Sequence, residues 1–104
     1  YNGEMNRIET LTFDDVDGHI EEGKAVLDVR KLTEYNEGHI EGALNVAHTR
    51  LLPRLNEVPT DQSLVVHCAA GSRSAVAAAF LARKGFDVSV VLDDYANYTT
   101  SQDA

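Results

Sequence analysis

The sequence predicts an α/β domain with a mostly parallel sheet flanked by helices. Two patterns carry that prediction. Short apolar runs rich in Val, Ile and Leu alternate with segments that begin acidic and end near a glycine, which is the order of strand–helix–strand units. The run "SLVVH" (63–67) is apolar without alternation, as expected for a central strand of a parallel sheet covered on both faces. Size agrees. A chain of 104 residues with 43% hydrophobic content can build one core without staples, so residues 1–104 read as a single domain.

In chain order, "IETLT" (8–12) and "AVLDV" (25–29) read as strands, with "FDDVDGHIEEG" between them as a short helix. After Arg30, "KLTEYNEG" predicts a second short helix and "GALNV" (42–46) a short strand. "HTRLLPRLNEV" reads as a helical segment interrupted or begun near Pro53. "SAVAAAFLARK" (74–84) is strongly helix-forming, and Gly85 stands where a left-handed helix end is wanted. "DVSVVL" (87–92) predicts the last strand. Sheets of this kind bind ligands at the carboxyl ends of their strands, and Cys68, the only cysteine, directly follows the 63–67 run.

Charge narrows the partners. The formal net charge of −8 disfavours nucleic acid, whose binders cluster Lys and Arg on one face. The acidic excess fits ordinary solubility or adaptation to high salt. No stretch approaches the ~20 apolar residues of a membrane span, and the first residues lack the pattern of a secretory signal. A soluble, cytoplasmic protein with no nucleic-acid or membrane partner is expected. The chain begins at Tyr1, with Met5 further in, which predicts an excised domain or added leading residues, with neighbouring domains missing.

The stretch "HCAAGSRS" (67–74) joins a strand end to a helix start. A single cysteine cannot close an intramolecular disulfide, so Cys68 is a small core residue, a reactive thiol or an intermolecular partner. Ala69, Ala70, Gly71 and Ser72 make a turn of small residues whose backbone N–H groups can converge, and a helix N-terminus adds roughly half a positive charge. Such a nest stabilises a thiolate, since helix N-termini and arginines lower a cysteine pKa from ~8.5 into the ~3.5–7.5 range. Gly71, Arg73 and the helix at Ser74 therefore favour a reactive thiol. His67 is its neighbour on a strand, so the two side chains point to opposite faces, and His67 reads as a packed structural histidine. The turn has no lysine, which excludes a Walker loop, and His19, His39, His48 and His67 show no paired ligand spacing with Cys68. Neither a metal nor a cofactor is expected.

Two separated motifs resemble the rhodanese domain family. "LDVRKLTEYNEGHIEGALNV" (27–46) is similar to that family's Asp-Val-Arg, Glu-Tyr or Phe, Gly-His-Ile, Gly-Ala-x-Asn signature. "CAAGSRS" (68–74) is similar to its Cys-x-x-Gly-x-Arg-Ser or Thr loop. With the β/α order around them, the resemblance covers nearly the whole chain. It implies a five-stranded parallel sheet and a sulfurtransferase whose Cys68 cycles between thiolate and persulfide. The donor implied is thiosulfate or a thiol persulfide, and the acceptor a thiol, cyanide or sulfite. Ala69, Ala70, Gly71, Ser72, Arg73 and Ser74 would bind the substrate, with backbone N–H groups of 69–73 holding the charged sulfur. "LLPRLNEVP" (51–59) also resembles the linker helix of rhodanese domains fused behind metallo-β-lactamase-like persulfide dioxygenases, so a fused or partner sulfur-metabolism domain is a further expectation.

Two alternatives stand beside this reading. A non-catalytic accessory module is the first, against which the retained Cys68 speaks. Phosphatase action is the second; tyrosine and dual-specificity phosphatases share the fold but place five residues between Cys and Arg, and this loop has four. The tighter ring suits one sulfur better than a phosphate. Departures bear on the donor: many thiosulfate-using members carry an arginine where this chain has Ala69, and Asp93, Asp94 and Tyr98 replace a Gly-Gly and tryptophan segment. The two aspartates read as solvated. Asp28, Arg30 and Glu34 read as an ion-paired set shaping the turn after their strand, and Gly38, His39, Gly42 and Ala43 as a tight turn. Arg73 has two roles open to it, contacting the donor's oxyanion or pairing with an acid to hold the loop.

Overall fold

The computed structural model describes residues 8–98, and each predicted strand is found there in one sheet. β1 (Glu9–Leu11), β2 (Ala25–Asp28), β3 (Leu44–Asn45), β4 (Leu64–His67) and β5 (Val88–Val91) lie in the order β1-β5-β4-β2-β3. Every neighbouring pair is parallel, with Val65 of β4 opposite Val26 of β2 and Ser89 of β5. Central β4 is buried at all four positions, as its unbroken apolar run requires. Tyr1, Met5 and both ends of the 1–104 assignment lie outside the described residues.

Helices α1 (Val16–Glu21), α2 (Leu32–Glu37) and α3 (Ser72–Arg83) pack on the sheet, and residues 95–98 add a helical turn after β5. The strand period of two sorts the core onto two faces. Leu64, Val66 and Cys68 pack with Ala77, Ala78 and Leu81 of α3, whereas Val65 packs on the other face with Phe13, Val16 and Ile40. His67 follows Val65, its ring edge-on to Phe13 at 5.4 Å between centroids. The thiol and the imidazole are therefore on opposite faces.

Three segments differ from their predicted form. α3 begins at Ser72 rather than Ser74, because the Gly71 carbonyl already accepts the Ala75 N–H at 3.0 Å. Ser72 and Arg73 thus stand in the first helical turn. The predicted strand 42–46 shortens to Leu44–Asn45, since Ala43 is taken up by a turn that closes on the Ile40 carbonyl. The segment predicted as helical from His48 forms only two 3₁₀ turns, His48–Arg50 and Leu55–Glu57. Pro53 between them has no N–H to continue a helical ladder.

Candidate active site

Gly71 shapes the loop between β4 and α3. Its φ of +106° is a left-handed conformation, and a Cβ there would lie 3.3 Å from the Leu92 Cα. Both facts call for glycine. The turn aims backbone N–H groups at the sulfur: Cys68 Sγ accepts from Gly71 N–H at 3.0 Å and from Ser74 N–H at 3.3 Å. Ser74 extends the predicted donor set by one residue. Its hydroxyl lies 3.5 Å from Sγ and also reaches the Gly71 and Val91 carbonyls at 3.0 and 3.1 Å. One hydroxyl proton serves one acceptor at a time, so a thiol donates to Ser74 Oγ while a thiolate draws the hydroxyl proton to itself. The Ala69 carbonyl accepts Tyr95 N–H at 2.7 Å, and Ala70 and Ser72 are exposed at the rim.

These contacts set the thiol's acidity. Burial pushes the Cys68 thiol up, but hydrogen bonds from the Ser74 hydroxyl and from the N–H groups of Ser74, Ala70 and Gly71 outweigh it, and the net shift is downward. Cys68 is only 1% exposed, so a donor's outer sulfur must enter the loop to meet it.

Arg73 pairs with an acid. Its Nη1 and Nη2 donate to the two carboxylate oxygens of Glu34 at 2.7 and 3.1 Å. This is one of the two roles left open for Arg73, and it refines the expected Asp28–Arg30–Glu34 set, in which Glu34 acts on Arg30 through its charge and gives its hydrogen bonds to Arg73. Asp28 and Arg30 satisfy each other: Arg30 Nε and Nη2 donate to the Asp28 carboxylate at 2.7–3.1 Å, and Nη2 also reaches the Gly38 carbonyl at 2.8 Å. Glu34 instead accepts Lys31 N–H at 3.1 Å and turns to the loop. The Arg73 guanidinium lowers the Glu34 carboxyl to about 2. Downstream, Ala43 N–H closes on the Ile40 carbonyl at 3.0 Å and Tyr35 hydroxyl on the Ala43 carbonyl at 2.7 Å, the tight turn predicted for 38–43.

His67 is fully buried, and burial lowers its pKa. Its Nδ1 faces the Cys68 carbonyl at 3.3 Å, and Nε2 stands 3.7 Å from Asp28, beyond hydrogen-bond length. It is a neutral, packed group rather than a base for Cys68. The sequence reading missed Tyr95, which stacks on His67 at 5.6 Å, lies 4.3 Å beneath the Arg30 guanidinium and holds Ala69. The only signal for it was an aromatic residue shortly after the last strand. Asp93 is no merely solvated acid, since its carboxylate takes Phe13 N–H at 3.0 Å, Asp94 N–H at 2.9 Å and Asn97 Nδ2 at 2.6 Å. Asp94 is exposed as expected, and Tyr98 hydroxyl reaches Asp17 at 3.3 Å.

Among the described residues no group of three or more His, Cys, Asp or Glu is placed to hold a metal ion, and no helix is long and apolar enough to cross a membrane. A groove of about 700 Å³ lies beside β3, lined by Lys31, Leu32, Tyr35, Asn45 and Arg50 among others, and does not include Cys68.

The chain is similar to known proteins in sequence and in fold. The chain is 37% identical over 68 residues to a thiosulfate sulfurtransferase GlpE of Shewanella oneidensis, covering 65% of this chain and 67% of that protein. It is 32% identical over 66 residues to the putative sulfur carrier protein YrkF of Bacillus subtilis, covering 64% of this chain but 36% of YrkF. Among solved structures, reduced CoADR-RHD of Bacillus anthracis superposes with a TM-score of 0.83 at 34% identity, covering 89% of this chain and 17% of that one. A rhodanese-related protein of Thermoplasma volcanium superposes with a TM-score of 0.81 at 27% identity, covering 89% and 92%. The model of the rhodanese-like domain family matches residues 12–101, and the chain belongs to that family.

Proposed function

We propose that the protein is a sulfurtransferase that carries a sulfane sulfur on Cys68 as a persulfide. One observation carries this reading: the sole cysteine presents a buried Sγ to two backbone N–H groups at the start of a 12-residue helix. The Cys68 thiolate attacks the outer sulfur of the donor, forming a new S–S bond. The donor's own S–S bond breaks, and its electron pair leaves with sulfite from thiosulfate, or with thiolate from a thiol persulfide. Charge balances without an oxidant. A thiol, cyanide or sulfite then attacks the outer sulfur and returns the Cys68 thiolate, splitting one transfer into two displacements. N–H groups of 69–73 not spent on Sγ are the natural donors to the outer sulfur, with Arg73 and Ser74 completing the site. The similarity to a protein named thiosulfate sulfurtransferase supports the reaction class. The four-residue spacing before Arg73 argues against phosphoryl transfer. A cytoplasmic location suits a free thiol, which reducing compartments preserve.

A second reading is an accessory module of a longer protein, favoured by the small share of YrkF and of the CoADR-RHD chain that the match spans. Mass spectrometry of the protein after exposure to thiosulfate or to glutathione persulfide separates the two. The expected result is a gain of one sulfur on Cys68, lost on adding cyanide. Absence of the adduct with both donors would leave the module reading.

A further inference from the structure

We propose that Glu34 sets donor choice by holding Arg73 in a closed pair, so that the loop favours donors with little charge beside the transferred sulfur. The proposal rests on the sulfurtransfer reading and names the substrate class of that site. Arg73 is the single cation of residues 68–74, and each of its Nη atoms donates to one carboxylate, which offsets its charge. Glu34 lies 39 residues away on another element, and the Lys31 N–H orients its carboxylate. The pair is a built tertiary contact. It is also open to an incoming ligand, since the two side chains are 25% and 32% exposed.

No other cation of the nearby β2 connection substitutes for it. Arg30 is 5% exposed, engaged by Asp28 and the Gly38 carbonyl, and covered by Tyr95. Lys31 lines the groove beside β3, which excludes Cys68. A thiosulfate dianion carries its charge directly on the sulfur being attacked and its neighbour, so it meets a guanidinium whose charge Glu34 already offsets and gains the full attraction only by displacing Glu34. A thiol persulfide has an organic group in place of the sulfonate and does not need that cation. Leu92, 47% exposed and set against Gly71, offers such a group an apolar contact beside the loop.

The test is the second-order rate of Cys68 persulfide formation, followed by mass, with thiosulfate and with glutathione persulfide. Glu34→Gln keeps the side chain's shape and removes its charge. It should raise the thiosulfate rate about tenfold, as a freed charge-assisted donor allows, and the glutathione persulfide rate by less than about twofold. Glu34→Ala should move the ratio the same way, which covers a poorly folding amide variant. Adding Arg73→Ala to Glu34→Gln should erase the gain. Equal change for both donors, or a gain that survives loss of Arg73, would overturn the proposal while leaving sulfur transfer intact. If neither donor loads the wild-type protein, the sulfurtransfer reading fails and this proposal falls with it.

Discussion

Two connections leave the same edge of the sheet from adjacent strands and treat charge in opposite ways. After β4, the loop from Cys68 to Gly71 surrounds a sulfur with backbone N–H groups and brings no carboxylate or ammonium into contact with it. After β2, Asp28 and Arg30 close on each other in full burial, at 0% and 5% exposure. A charge stabilised by fixed dipoles keeps its reactivity, whereas a charge neutralised by a partner becomes part of the frame. The first connection should therefore carry chemistry and the second stability. The Arg73–Glu34 ion pair joins them.

The sharpest way to break that contrast is to move each region's key atom. Cys68→Ser should abolish sulfur loading, a loss beyond roughly a thousandfold, because a hydroxyl forms no persulfide. Its unfolding free energy should stay within about 1 kcal/mol of wild type, since the volume change is small. Asp28→Asn should do the reverse. It strips the partner from a buried guanidinium, costing about 3 kcal/mol in denaturant unfolding, with the loading rate of the remaining folded protein falling far less. An Asp28→Asn protein that is stable but inactive would show that the β2 connection serves the chemistry directly.

Gly71→Ala sits between these extremes. The left-handed backbone and the Leu92 contact together predict about 1–2 kcal/mol of destabilisation, and the displaced N–H should also slow loading severalfold. Acidity offers a finer measure. Alkylation of Cys68 should accelerate as pH rises through a value lowered from that of an ordinary thiol by the hydrogen bonds to Sγ. Because the folded pKa is the lower one, the matching stability is fully present above the unfolded value and is lost as pH falls through the folded value. Ser74→Ala should move the alkylation profile upward. Glu34 does not blur it, since its carboxyl sits at about 2 and its contribution is lost only as pH falls toward that value. An unchanged profile in Ser74→Ala would mean that the backbone alone acidifies the thiol.

The sequence was informative where one local rule sufficed. The unbroken apolar run of 63–67 placed β4 at the centre, and alternation along that strand put His67 and Cys68 on opposite faces. Small residues after Cys68 announced a turn, but not which N–H groups would face the sulfur, since that depends on the Gly71 dihedral. The first two residues of α3 were missed because Ser72 and Arg73 are ambiguous between cap and helix by propensity alone. Long-range partners were the hardest. Nothing local tells Glu34, four residues after Arg30, to give its hydrogen bonds to a guanidinium 39 residues on. Tyr95 was likewise invisible, because its roles toward His67, Arg30 and Ala69 exist only once the sheet is assembled.

The smallest expected effect concerns Ala69, which lies beside the thiol and whose carbonyl is already fixed by Tyr95. Ala69→Arg adds a second cation at the loop without disturbing the Arg73–Glu34 pair, so it tests charge supplied from a new position rather than charge released. Charge-assisted hydrogen bonds contribute roughly twice a neutral one, and thiosulfate presents its two charges at the reacting end. The substitution should raise the thiosulfate specificity constant severalfold and that for glutathione persulfide less, because the latter's carboxylates lie several bonds from the transferred sulfur. The chain's net charge of −8 opposes any dianion at long range, most strongly at ~0.01 M salt where screening extends over ~30 Å. Added salt should therefore narrow the gap between donors. Steady-state kinetics with both donors at two ionic strengths reads the effect directly. If the wild-type protein already prefers thiosulfate and the new arginine changes nothing, the backbone N–H groups alone read the donor, and the charge of the β4 loop matters less than its shape.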